Sequence, residues 1–182
     1  MLCLLATLAG CAATPAERTQ AEIQAFQQEQ TADKLLERGR AFAAIGDMTR
    51  AEEYLASAID AGADPKVVMP LLLQVCVSTG RYRSAIQHAE NHLRKHPGDA
   101  RTRFVLGTLY AAVGETREAK EALSVVVEQR PDEAQAHYAL AVLARDENDP
   151  VVADRHFREY LRLEPSGQHA EEARAALLER VP

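Results

Sequence analysis

The sequence predicts an all-α solenoid in which four helix–turn–helix hairpins stack in register and a C-terminal helix caps the stack. Three observations carry this reading. First, residues recur at a fixed interval of 34, as in Gly46, Gly80, Gly114 and Asn148, or Ala51, Ala85, Ala119 and Ala153. Self-similarity at that pitch marks a supersecondary unit that buries its apolar face only by stacking on a neighbour. Second, Ala, Glu, Leu and Arg are abundant, Trp is absent and aromatics reach only 5%. That mixture favours helices and lacks the β-branched and aromatic clusters that fill a pleated face. Third, Pro97, Pro131 and Pro165 keep the same step. They stand between units, where a missing N–H costs little and the next helix starts afresh.

At 182 residues, 47% of them hydrophobic and 26% charged, the chain can form one domain with a substantial core. The net charge is −6, and Arg is interleaved with Glu throughout. A nucleic-acid binder concentrates Lys and Arg on one face to displace counterions. The mixed surface here argues against a nucleic-acid partner.

In chain order, residues 1–10 form an uncharged apolar run that is too short to span a bilayer, which needs about 20 residues. Its length suits the apolar region of a secretory signal. Leu8-Ala9-Gly10-Cys11 stands directly behind this run and resembles the lipobox of bacterial lipoproteins. The resemblance implies cleavage before Cys11, lipidation of its thiol, and a membrane attachment through acyl chains alone. Ala12 following Cys11 looks like the pattern that sends such lipoproteins to the outer membrane, facing the periplasm. No Lys or Arg precedes Leu2, so a soluble, cytoplasmic scaffold with a misread N-terminus stays open as the alternative. Residues 11–31 read as a polar tether. Within it Ile23 and Phe26, spaced i to i+3, mark a short helix that leans on the first hairpin.

The hairpins occupy residues 32–65, 66–99, 100–133 and 134–167. The spacing predicts helices over 33–45, 49–61, 67–79, 83–95, 100–113, 117–129, 134–146 and 150–162. Gly46, Gly80 and Gly114 fall where each first helix must turn, and Gly or Asn accepts the positive φ required there. The Ala series in the second helices lets backbones approach, as do Gly39, Gly107 and Ala141 in the first helices. Asp149-Pro150 is a good helix start. Pro70 predicts a late start or a kink near Met69 in the third helix. Residues 168–182 supply the cap, with an amphipathic helix over 168–180.

The series Leu106-Gly107-Thr108-Leu109-Tyr110, Gly114, Ala119, Leu123 and Pro131 resembles the tetratricopeptide repeat. The fourth unit keeps Ala153, Phe157 and Pro165, and the first keeps Gly39, Phe42, Gly46 and Ala51. The second is the most divergent, with Leu73, Cys76 and His92. The resemblance implies a right-handed superhelix whose first helices line a concave groove that takes a protein or peptide. Mapped onto this chain, the groove comprises Leu36, Glu37, Arg40, Val67, Leu71, Gln74, Phe104, Val105, Thr108, Tyr138, Ala139 and Val142. This largely apolar strip lacks the Lys and Asn cluster that clamps a terminal carboxylate in the family's chaperone co-factors. It suits an amphipathic helix or an extended apolar peptide. The groove is either open or partly covered by the helix carrying Ile23 and Phe26.

No catalytic constellation is legible. Glu52-Glu53 and Glu171-Glu172 read as solvating charges, the glycines occur singly, and no nucleophile motif is present. His88, His92 and His96 share one helix face at i, i+4 and i+8, a spacing that can chelate zinc or nickel. No nearby Cys or second His cluster completes a site, so neither a metal nor another cofactor is expected, and a metal-binding module stays only as a lesser alternative. Cys76 reads as an inert core thiol. The chain is therefore expected to be a non-enzymatic adaptor. In plan it is similar to the repeat-containing pilotins of type IV pilus systems and to the repeat lipoprotein of outer-membrane-protein assembly. Its oligomeric state is not legible.

Overall fold

The computed structural model describes residues 19–20 and 30–178, so the expected signal segment, Cys11, Ile23 and Phe26 lie outside the described residues. The described chain is helical, with α1 Ala32–Ala44, α2 Met48–Asp60, α3 Pro65–Ser78, α4 Tyr82–Lys95, α5 Ala100–Ala112, α6 Thr116–Gln129, α7 Ala134–Asp146, α8 Pro150–Leu163 and α9 Ala170–Ala175. Consecutive helices pack on one another from α1 to α9, as an α-solenoid requires. No helix among the described residues is long and apolar enough to cross a membrane.

The hairpin turns are local chemistry. Gly46, Gly80, Gly114 and Asn148 all adopt positive φ, between 60° and 83°. Each follows the last turn of a first helix, the position at which a Cβ is penalised. Asp47, Asp64, Asp99 and Asp149 then cap the helices that follow, their carboxylates accepting from the N–H groups of Arg50, Lys66, Thr102 and Val152.

Two helix boundaries differ from the sequence expectation. The third helix does not start late: Pro65 takes its first position, where a proline N–H is not needed, and the helix runs on through Pro70. Lys66 and Pro70 are both exposed, so water can take the carbonyl that Pro70 cannot satisfy. The final helix, expected over 168–180, spans only Ala170–Ala175. Beyond it the backbone is claimed by α8. Leu178 N donates to Asp154 Oδ1 at 2.9 Å, and Arg158, ion-paired to the same carboxylate, donates to Leu178 O at 3.1 Å. Those bonds take the place of another helical turn.

The core is an apolar seam between the helix layers. Its first stretch joins α1 to α5 around Leu55, Leu72 and Leu106, a second joins α6 to α7 through Leu123 and Leu140, and a third joins α7, α8 and α9 around Phe157 and Tyr160. Close approach within a hairpin is enforced by size. A Cβ on Gly39 would stand 2.7 Å from Leu55 Cγ, and one on Gly107 2.7 Å from Leu123 Cγ. In the same register the fourth hairpin sets Ala141 against Phe157. The second inverts the rule, with Leu73 in the first helix and Ala89 in the second. A branched side chain on the face where the others carry none holds the backbones apart. Accordingly α3 and α4 pack far less closely than α1 with α2, α5 with α6 or α7 with α8.

Candidate functional site

The splayed second hairpin borders a cleft of about 900 Å³ between α3, the α4–α5 turn and the start of α5. α3 and α5 make few direct contacts, whereas α5 and α7 touch. Pro70, Leu73, Val77 and Val105 give the cleft an apolar lining, and Lys66, Arg101 and Arg130 stand around it. Arg130 is paired with Glu133 at 3.0 Å. Among the described residues neither Lys66 nor Arg101 is ion-paired. Val77 is 39% exposed although its neighbours Val75 and Cys76 are buried. The cleft therefore offers apolar surface beside two cations without an ion-pair partner, Lys66 and Arg101, with the carboxylates of Asp64 and Asp99 also in its lining.

One wall is built by the chain reversal after α4. Asp99 accepts from Thr102 N at 3.1 Å and Thr102 Oγ1 at 2.9 Å, and it meets His92 Nε2 at 2.8 Å. Burial raises the Asp99 carboxyl, but the Thr102 N–H, His92 and the Thr102 hydroxyl outweigh burial and hold it below its ordinary value. His96 lies against His92 with ring centroids 4.7 Å apart. His92 is buried, His96 is exposed, and both line the cleft.

Of the groove residues expected from sequence, Gln74 and Val105 line this cleft. The others lie along the same succession of first helices, outside it. Glu37, Arg40 and Val67 are exposed, while Leu36, Leu71, Phe104, Thr108, Ala139 and Val142 are half-buried. Leu36 and Leu71 pack against the first core stretch, and Phe104 and Ala139 against the second. Thr108 turns its hydroxyl back to Val105 O at 2.8 Å. Tyr138 lies under the cap, its hydroxyl donating to Glu172 at 2.6 Å. The cleft's centre on Leu73, Val77 and the His92–Asp99 pair escaped the sequence reading. The available signal was the exchange of sizes between positions 73 and 89.

Of the three histidines, His96, at the C-terminal end of α4, stays beside His92, but His88 turns elsewhere. His92 turns to Asp99, whereas His88 Nε2 meets Glu52 Oε1 at 3.1 Å. The expectation that no cysteine stands near a histidine is overturned by packing between helices. Ligand atoms of Glu52 on α2, Cys76 on α3 and His88 on α4 lie within 4.8 Å of one another. Arg81 holds the second oxygen of Glu52 at 2.9 Å. Burial, reinforced by Glu52, pushes the Cys76 thiol up to about 12.

Comparison with known proteins agrees with this geometry. Residues 77–143 match the tetratricopeptide repeat family model. Three solved structures superpose over most of the described chain. YrrB, described as a TPR protein with an unusual peptide-binding site, has a TM-score of 0.68 at 18% identity, covering 87% of this chain and 88% of its own. A tetratricopeptide repeat protein from Parabacteroides merdae ATCC 43184 reaches 0.72 at 22% identity, covering 81% of this chain and 59% of its own. MamA from Desulfovibrio magneticus RS-1 reaches 0.65 at 22% identity, covering 84% and 86%. At these identities the likeness is one of fold. The human protein O-mannosyl-transferase TMTC1 is 25% identical over 117 residues, 64% of this chain, and the chain spans 13% of that protein's length. The repeat register, the hairpin packing and these likenesses together show an α-solenoid of the tetratricopeptide-repeat kind, with residues 77–143 matching the repeat family itself.

Proposed function

We propose that the chain binds an acidic, amphipathic peptide segment of a partner protein in the cleft between α3 and α5, and that it does so as a lipid-anchored scaffold in the assembly of a cell-envelope complex such as a pilus or secretion system. The cleft carries the binding half of this reading. Its apolar lining takes the partner's apolar side chains, while unpaired Lys66 and Arg101 select acidic ones beside them. Groove residues outside the cleft extend the contact along the first helices. The Leu8–Cys11 sequence supports the anchor.

Binding is tested by fluorescence anisotropy with a labelled helical peptide carrying Leu at i, i+3 and i+7 and Glu between them. Val105→Glu and Arg101→Glu should each weaken binding about tenfold or more while helicity is unchanged. Equal affinity in wild type and both variants rejects the cleft. A Phe104→Glu, Tyr138→Glu double variant reports whether the contact extends along the other first helices. For the anchor, the intact mass of the chain recovered from a bacterial envelope fraction should show cleavage before Cys11 and added acyl mass. An unmodified Met1 in a soluble fraction would instead support the soluble scaffold.

A further inference from the structure

The geometry points to a zinc site formed by Glu52, Cys76 and His88, which would clasp three successive helices beside the loosely packed second hairpin. The three donors are a carboxylate, a thiol and an imidazole from α2, α3 and α4, all within 4.8 Å of one another. Zinc takes this donor set, with bonds of about 2.3 Å to sulfur and about 2.0–2.1 Å to nitrogen and oxygen, so tetrahedral donors stand roughly 3.3–3.6 Å apart. Glu52 Oε1 and His88 Nε2 are already 3.1 Å apart.

The neighbouring groups set the donor geometry. Arg81 fixes the other Glu52 oxygen at 2.9 Å, which leaves Oε1 to face His88 and makes the carboxylate a one-oxygen donor. The Cys76 side chain is fully buried, so its sulfur is shielded from solvent oxidants. His88 remains 25% exposed at its side chain, giving the ion a route in and leaving room for water as fourth ligand. On binding, Zn²⁺ forms a bond to Cys76 Sγ and the thiol proton leaves to solvent. The imidazole and carboxylate bind in their neutral and ionised forms and release nothing. The consequence is mechanical. A bound ion would tie the first hairpin to both helices of the second, where Leu73 has loosened the packing that the other hairpins keep.

The test is a cobalt titration of the untagged full-length chain, reduced, with Cys3→Ser and Cys11→Ser so that Cys76 is the remaining thiol. One equivalent of Co²⁺ should produce a thiolate-to-cobalt charge-transfer band and intense tetrahedral visible bands. Zinc should displace both. His88→Gln and Cys76→Ala should each remove the charge-transfer band. His88 is partly exposed and Gln keeps a polar group beside Glu52, and circular dichroism checks the fold of both variants. Zinc should also raise the melting temperature of the parent and leave that of His88→Gln unmoved. A parent with no charge-transfer band at one equivalent, or a band that survives in His88→Gln, overturns the site.

Discussion

The phenol ring of Tyr138 lies flat against the imidazole of His169, the centroids 4.0 Å apart and the planes 12° from parallel. Its hydroxyl donates to Glu172, 34 positions further along the chain. That separation is one repeat, so α9 stands where the first helix of a fifth hairpin would begin. It covers Phe157 and Tyr160, which would otherwise face water at the end of the stack. Tyr138→Ala should lower unfolding free energy by about 2–3 kcal/mol, and Tyr138→Phe by about 1 kcal/mol. Urea denaturation followed by circular dichroism measures both, and an unchanged midpoint in Tyr138→Ala would remove the cap from the stability argument.

Gly107 is fixed by space. Its backbone is helical and needs no special φ, but an added Cβ would meet Leu123 Cγ at 2.7 Å. Gly107→Ala should cost about 1–3 kcal/mol. At Gly114, where φ is 79° and nothing lies within 4 Å, Ala is penalised by backbone strain instead. A Leu123→Ala change should therefore relieve part of the Gly107→Ala cost and none of the Gly114→Ala cost. Double-mutant cycles give the two coupling energies, and equal couplings would refute the distinction.

The cleft depends on which helix of the second hairpin carries the large residue. Leu73→Ala alone should destabilise by about 2–4 kcal/mol, because Leu73 is buried. Combining it with Ala89→Leu restores the size order of the other hairpins. The pair should recover about 1 kcal/mol or more through coupling, yet lose peptide binding as α3 closes on α4. Retained affinity in a stable double variant would show that the cleft does not arise from this inversion.

His137 and His156 form a pH-dependent contact. His137 donates from Nε2 to Pro131 O at 3.2 Å, so its unprotonated Nδ1 accepts from His156 Nδ1 at 3.1 Å. Burial, with Arg155 and His137 adding to it, depresses His156 from 6.5 to about 4. Between those values the unfolded chain binds the proton first. Stability is therefore complete above pH 6.5 and falls on acidification, by on the order of 2 kcal/mol by pH 4. His156→Gln should flatten that part of the stability profile. An identical slope in wild type and variant would assign the acid sensitivity elsewhere.

Asp99 caps α5 and holds His92 at the cleft wall. Its carboxyl lies below its ordinary value of 3.8, so its stabilisation is present above that pH and disappears as pH falls through the depressed value. Asp99→Ala should cost about 2 kcal/mol at neutral pH through the lost cap and the unpaired imidazole. Asp99→Asn, which still accepts from Thr102 N, should cost less. Thermal denauration at neutral pH ranks the two, and a reversed order would place the contribution in packing alone.

Features that depend on residues close along the chain were legible before any contact between helices was known. The repeat of Gly and Asn fixed where each hairpin turns, because positive φ is a property of a single residue. The 34-residue pitch fixed how many helices there are between Ala32 and Leu163 and in what order, and their ends fell within two residues of the expected ones. Tertiary structure decided what depends on the distance between helices. The cleft follows from the looser packing of α3 on α4, which the Leu73–Ala89 inversion encodes only once the facing positions are known. Glu52, Cys76 and His88 meet because three separate helices bring them together, a coincidence that spacing along α4 could not reveal. The cap stops at Ala175 because side chains of α8 bind the backbone of Leu178, a competition between local and distant hydrogen bonds that helical periodicity does not record.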